Sequence, residues 1–288
     1  MIFISSVAVK NPSLNLLNDI SKKYRINFEL SANIIDEDNI DIKLCEFSSD
    51  FLIHNYFPKP IDDFVINLAS SNEIIRKKSI EFACGNIFRC EKYKIPIYSI
   101  HSGFRFDPIP KYLGVTFDNV ELNDYSSSFD LFIKSIREIL NTTLSSSVSL
   151  LLENNVITKN NLNSFRQNPL LCCDTNDYIK LFSIVKDSRL GILADYGHLK
   201  VSANTLKFTT ESFYETLKNR IYAHHLSFNN GLYDSNKPFK TSNIFDEIKY
   251  ISNSDYFTLE INNLDIEDML KQKELLQKYL NKKNEDKY

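Results

Sequence analysis

The histidines of this sequence stand where chemistry can use them. There are five, His54, His101, His198, His224 and His225. The apolar run Phe51-Leu52-Ile53 leads into His54, Ile97-Tyr98-Ser99-Ile100 leads into His101, and Ile221-Tyr222-Ala223 leads into His224-His225. Carboxylates repeat the pattern. Leu150-Leu151-Leu152 leads into Glu153, Gly191-Ile192-Leu193-Ala194 into Asp195, and Phe257-Thr258-Leu259 into Glu260. One polar residue after an apolar run is ordinary, because strands give way to polar loops. The weight lies in the set. Mixed imidazole and carboxylate donors suit divalent metals, Mn²⁺ or Zn²⁺ first and Co²⁺ or Fe²⁺ next. Such a cation offsets the charge of acidic groups held at the rim of apolar strands.

These donors need elements that bring them together. Short apolar runs begin near Ile2, Asn27, Asp50, Ile95, Val148, Leu190, Ile221 and Tyr256, and amphipathic stretches separate them. That alternation predicts repeated βα units, a parallel sheet and a single (β/α)8 TIM barrel over residues 1–288. Helices are expected over Asn72 to Tyr93, Ser126 to Leu140 (after a serine run that caps it), Asp177 to Val185, Thr209 to Leu217 and Ile266 to Leu280. Ser31 to Ser49 reads as a short helix or loop, and residues 281–288 as a frayed, charged tail. In a barrel the C-terminal ends of the strands converge on one face. Residues far apart in sequence, six of them at the ends of eight predicted strands, would then meet in one pocket.

Strand alternation sorts the histidine pair. Ile221, Ala223 and His225 share one face, and Tyr222 and His224 the other. The small Ala223 suits a crowded barrel interior, so His225 is the expected ligand and His224 a structural residue. Asp195-Tyr196-Gly197-His198 reads as a strand-to-loop turn carrying a carboxylate and an imidazole. The plain alternative is a turn with glycine at the bend, but loops above a barrel mouth form its pocket, which makes His198 a metal or substrate contact. Lys200 and Lys237 are the cations available to a phosphate, and Lys200 is the expected substrate contact.

Composition narrows the class. The chain has 288 residues, close to the roughly 250 of a barrel of this kind, with 43% hydrophobic and 25% charged residues. Lys+Arg is 34 and Asp+Glu 37, a net charge of −3, so no bulk basic field for nucleic acid exists. The first residues are apolar but short and lack a positive leader, and no run approaches the ~18 apolar residues of a spanning helix. Five cysteines, an odd number without C-x-x-C spacing, predict free thiols. The expectation is a cytoplasmic protein that does not bind membranes, with oligomeric state open.

These segments resemble the xylose-isomerase-like TIM-barrel superfamily, which contains sugar isomerases and epimerases, inosose dehydratases and metal-dependent apurinic-site endonucleases. The resemblance covers strands three to eight. It is carried by Ala194-Asp195-Tyr196-Gly197-His198-Leu199-Lys200-Val201-Ser202-Ala203, then by Ile100-His101-Ser102-Gly103-Phe104, Leu152-Glu153-Asn154-Asn155 and His225-Leu226-Ser227-Phe228-Asn229-Asn230-Gly231. Ile53-His54-Asn55-Tyr56-Phe57-Pro58 is similar to a branch of sugar phosphate isomerase/epimerase type. The resemblance implies that Glu153, Asp195, His225 and Glu260 form the epimerase metal site. It implies a further metal position at His54 and His101, sharing Glu153, and part of a third at His198 and Asp234. Two departures stand out. The endonuclease pattern has Asp-x-His where this chain has Asp234-Ser235-Asn236, and the arginine many ketose epimerases carry after the last metal histidine has no match near Gly231.

Two catalytic readings and one non-catalytic one follow. The first is a metal-dependent sugar or sugar-phosphate isomerase or epimerase, in which Glu153 and Glu260 exchange a proton next to a carbonyl, with a metal-assisted hydride shift as its variant. Its partner is a small sugar. The second is a metal-dependent phosphodiesterase of the apurinic-site endonuclease type, with nucleic acid as partner. His54 and His101 favour it, and Asn236 and the net charge oppose it. The third is a metal-binding barrel without activity.

Overall fold

The computed structural model describes residues 1–35, 38–60, 62, 64–110, 120–241, 244–251 and 253–285. Its strands are β1 (Ile2–Ser5), β2 (Asn27–Leu30), β3 (Phe51–His54), β4 (Ile97–His101), β5 (Ser149–Glu153), β6 (Leu190–Asp195), β7 (Ile221–Leu226) and β8 (Tyr256–Leu259). They close into one barrel in sequence order, every pair parallel, with β8 returning to β1. A strand buried on both faces has no polar side to display, which is why β6 is buried at all six positions.

Around the barrel run α1 (Leu14–Tyr24), α2 (Ile40–Cys45), α3 (Glu73–Lys92), α4 (Tyr125–Thr142), α5 (Lys159–Phe165), α6 (Thr175–Ile184), α7 (Tyr196–Leu206), α8 (Thr210–Leu217), α9 (Ile244–Glu247) and α10 (Ile266–Glu285). Side chains start several of them. Asn72 caps α3, Thr209 caps α8, and Asp124 caps α4 by accepting from the Ser127 amide. The α4 cap is therefore Asp124 and not the serine run, because an ionised carboxylate complements a helix N-terminus better than a hydroxyl does. The final helix persists to Glu285, beyond the Leu280 expected from the charge run. Residues 286–288 lie outside the described ones.

The two histidines of β7 point to opposite sides of the barrel wall. His224 turns outward, stacks between Tyr214 of α8 (5.8 Å) and Phe257 (5.1 Å), and shares a hydrogen bond with Ser254 Oγ at 2.9 Å. Its neighbour His225 lies inside the barrel. All five cysteines are free, and four of them are buried. No helix among the described residues is long and apolar enough to cross a membrane.

Candidate metal centre

β5, β6 and β7 each deliver a donor from near their C-terminal ends, and the residue after β8 adds a fourth. One ligand-type atom from each of Glu153, Asp195, His225 and Glu260 lies within 4.8 Å of the others. His225 Nδ1 is 3.0 Å from Glu260 Oε2, 3.6 Å from Glu153 Oε1 and 3.8 Å from Asp195 Oδ2. A second group, His54, His101 and Glu153, meets the same distance condition. His54 Nε2 is 3.4 Å and His101 Nδ1 3.1 Å from Glu153 Oε2. Glu153 thus stands between the two groups, offering one oxygen to each.

Neighbours fix these side chains. His54 Nδ1 is 2.9 Å from Ser99 Oγ, which leaves Nε2 for the pocket. The amide of Asn154 grips the Asp195 backbone twice: its Oδ1 accepts from the Asp195 N–H (2.8 Å) and its Nδ2 donates to the Asp195 carbonyl (3.1 Å). Asp195 Oδ1 in turn accepts from the His198 amide at 2.7 Å and caps α7. The segment expected as a loop is therefore the first turn of a helix, and His198 rides on it. Gly197 allows that turn to dock. A Cβ there would sit 2.9 Å from Ser227 Oγ and 3.2 Å from both Asn229 Nδ2 and Asp195 Oδ1.

His198 reaches Glu153 Oε1 (3.4 Å) through Nδ1 and Asp234 Oδ2 (3.3 Å) through Nε2. Asn236 does not complete a third donor group. Its Oδ1 accepts from Ser227 Oγ at 3.0 Å. Lys200 departs from its expected role. Its ammonium is held 2.5 Å from Glu247 Oε2 and donates to the Asn229 carbonyl at 2.9 Å, over the ring of Phe228. Two residues beyond His198 on α7, it leaves from a different side of the helix, so the structure does not bring it to the donors.

The electrostatics of the cluster ask for a cation. Glu153 is 1% exposed, and among the described residues neither carboxylate oxygen makes a hydrogen bond, so only the imidazoles around it offset a charge that is costly to bury. Burial pushes the Glu153 carboxyl up, but the surrounding imidazoles, His101 first, then His54 and His225, overrule it and hold the group well below the usual carboxylate range. Burial also opposes the charge on Glu260, which His225 nonetheless pulls down to about 2. Burial raises Asp195 well above its ordinary value. His225 and His198, against the pull of burial, are raised well above the histidine range, the first by Glu29 and Glu260, the second by Asp195 and Asp234. Burial takes His101 down to about 4. Without a metal, protons on His225 and His198 supply the positive charge. The donor set fits a divalent cation, which would take over that role.

A prediction follows with a definite sign. Because His225 and His198 hold their protons more tightly than a free imidazole does, metal binding at these side chains should displace protons, and affinity should fall as pH is lowered. Calorimetric titration of Mn²⁺ or Zn²⁺ in buffers of different ionisation enthalpy should report about one proton or more released per metal. Uptake of protons, or binding that tightens in acid, would contradict the protonation pattern.

A cavity of about 450 Å³ opens outward from His101, His198 and Asp234. Phe104, Phe106 and Phe165 form one wall, the Phe106 ring centroid lying 6.0 Å from that of Phe104 and 5.4 Å from that of Phe165. Asn55, Asn155 and Thr158 supply polar groups. That volume falls among the ~300–1,000 Å³ of small-molecule sites.

Sequence reasoning missed three supporting residues: Glu29, Ser99 and Asn154. Glu29 left a signal, since it is a lone acid in the apolar run Phe28-Glu29-Leu30 and is 2% exposed. It stands one residue short of the end of β2, inside the strand and not after it.

The model of the xylose isomerase-like TIM barrel family matches residues 16–278. No curated protein matches the chain by sequence. Among solved structures, a D-tagatose 3-epimerase-like protein is similar over 100% of this chain and 99% of its own, at 19% identity and a TM-score of 0.72. The IOLI protein with a bound zinc atom is similar over 97% and 95%, at 12% identity and a TM-score of 0.62. Endonuclease IV from Thermus thermophilus is similar over 98% and 99%, at 11% identity and a TM-score of 0.59. At these identities the likeness is one of fold.

Proposed function

The chain belongs to the xylose isomerase-like TIM-barrel family, and on that premise we propose that it is a metal-dependent sugar or sugar-phosphate isomerase or epimerase. The observation that carries the reading is the set of buried Glu153, Asp195 and His225 with half-buried Glu260, gathered within 4.8 Å beside a small-molecule cavity. These four residues would hold the divalent metal, Mn²⁺ or Zn²⁺ before Co²⁺ or Fe²⁺. Bound there, the metal supplies Lewis-acid stabilisation of negative charge on neighbouring substrate oxygens.

The chain's own residues then move the proton. Glu153 and Glu260 come from points three strands apart around the barrel, which suits attack on two faces of one carbon. One carboxylate takes the proton from the carbon next to the carbonyl, and the electron pair of that C–H bond moves onto the carbonyl oxygen. For epimerisation the other carboxylate returns a proton to the opposite face of that carbon as the carbonyl re-forms; for isomerisation the proton goes to the former carbonyl carbon, while the hydroxyl on the first carbon passes its proton to the former carbonyl oxygen and becomes the new carbonyl. His198, at the boundary between donors and cavity, orients a substrate hydroxyl. The aromatic wall of Phe104, Phe106 and Phe165 covers the C–H face of a sugar and excludes water. The relatives support the coarse class: solved structures of this fold include D-tagatose 3-epimerase-like and D-psicose 3-epimerase proteins.

One observation favours a second reading. His54, His101 and Glu153 form a further donor group, as a multi-metal phosphodiesterase would need, and endonuclease IV has this fold. Against it, Asn236 is engaged by Ser227 and presents no imidazole beside Asp234. Product analysis separates the two. Metal-loaded protein should interconvert members of a panel of free and phosphorylated ketoses and aldoses and leave an abasic duplex intact. Enzyme-like nicking of that duplex, with every sugar unchanged, would replace the first reading by the second.

A further inference from the structure

Glu29 has no part in the proton transfer described above, yet it is almost fully buried inside the barrel, and among the described residues neither its Oε1 nor His225 Nε2 makes a hydrogen bond. That oxygen lies 2.6 Å from His225 Nε2. The other, Oε2, accepts from Thr258 Oγ1 at 3.1 Å. Thr258 sits on β8 directly opposite His225 in the β7–β8 register. A carboxylate from β2 thus reaches β7 and β8 and is aimed by one while it touches the other.

We propose that Glu29 is the positioning residue of the metal centre, holding the His225 ring by Nε2 so that Nδ1 is presented to Glu153, Asp195 and Glu260. The inference rests on the reading of that cluster as a metal site. An imidazole that binds metal through one nitrogen keeps a proton on the other, and an acceptor at that second nitrogen fixes both tautomer and ring orientation. Here the two nitrogens are unambiguously divided. Nδ1 has the three carboxylates at 3.0–3.8 Å, and Nε2 has Glu29. The ring is wholly buried, so no solvent competes for Nε2. Glu29, His54 and His225 also satisfy the spacing of a donor group, but a deep metal there would have to take His225 through Nε2. His54 Nε2 is already directed at Glu153, at 3.4 Å.

The test compares wild type with Glu29→Gln and Glu29→Met. Glutamine keeps an acceptor oxygen for Nε2–H and can donate to Thr258, whereas methionine keeps the volume and removes the acceptor. Zn²⁺ or Mn²⁺ affinity and stoichiometry are measured by competition with a chromogenic chelator, and the thermal midpoints of the metal-free proteins are recorded alongside. The methionine variant should bind about 10–100-fold more weakly, the scale of a lost supporting partner. The glutamine variant should stay near wild type. Metal-free midpoints of both variants should fall, since each removes the carboxylate paired with His225, so the affinity difference between the two variants carries the comparison. Wild-type affinity in the methionine variant overturns the proposal. So does loss of one whole metal per chain with unchanged affinity for the rest, which would make Glu29 a ligand, and so does equal impairment of both variants. If wild type takes up no metal, the metal-centre reading itself falls, an outcome visible without any variant.

Discussion

Glu153→Ala should abolish both metal binding and turnover. Glu153 is the residue common to the two donor groups around it, with one oxygen toward His225 and His198 and the other toward His54 and His101. Its removal takes a ligand from each group and leaves the imidazoles without their shared counter-charge. The loss of affinity should therefore exceed the ~10–100-fold typical of a residue that merely supports a ligand. Chelator competition and elemental analysis of the purified variant are the checks. A Glu153→Ala protein that keeps its metal through dialysis would remove Glu153 from the centre.

Glu260→Gln should separate metal binding from proton transfer. The amide keeps the shape and one neutral oxygen for the metal, but it cannot accept a proton from carbon. Turnover should drop by roughly 10²–10⁴-fold, the range of a lost general base, with KM little changed and metal content retained. Glu260 is suited to the role by access: its side chain is 15% exposed against 1% for Glu153, so it is the more open of the two carboxylates. Steady-state kinetics on whichever sugar is converted decides the point. A Glu260→Gln enzyme within a few-fold of wild type would assign the proton to another group.

Much of this was legible in the sequence because a parallel barrel writes its site at regular places. Runs beginning at Ile2, Asn27, Leu190, Ile221 and Tyr256 are the starts of β1, β2, β6, β7 and β8, since strands buried on both faces must be apolar throughout and so stand out. The donors Glu153, Asp195 and Glu260 were legible for the same reason: an acid at the end of such a run stands at the mouth of the barrel. Alternation separated His225 from His224 without coordinates. What stayed hidden depends on three-dimensional partners. Lys200 looked free in sequence, and only the return of α9 beside α7 reveals that Glu247 claims it. Nothing in the segment Leu152-Glu153-Asn154-Asn155 singles out Asn154, whose amide pins the Asp195 backbone from the neighbouring strand. Glu29 was hidden by parity, since the inward position of β2 is the penultimate residue and not the last.

The most direct test of the account is solvent exchange at carbon. Metal-loaded protein is incubated with a responsive sugar in deuterium oxide, and the proton signal of the carbon next to the carbonyl is followed by NMR. Deuterium should enter that carbon at the rate of turnover, stop when a chelator strips the metal, resume when Mn²⁺ or Zn²⁺ is restored, and fail in Glu260→Gln. Absence of exchange with every sugar, in protein that carries its metal and nicks an abasic duplex, would contradict it.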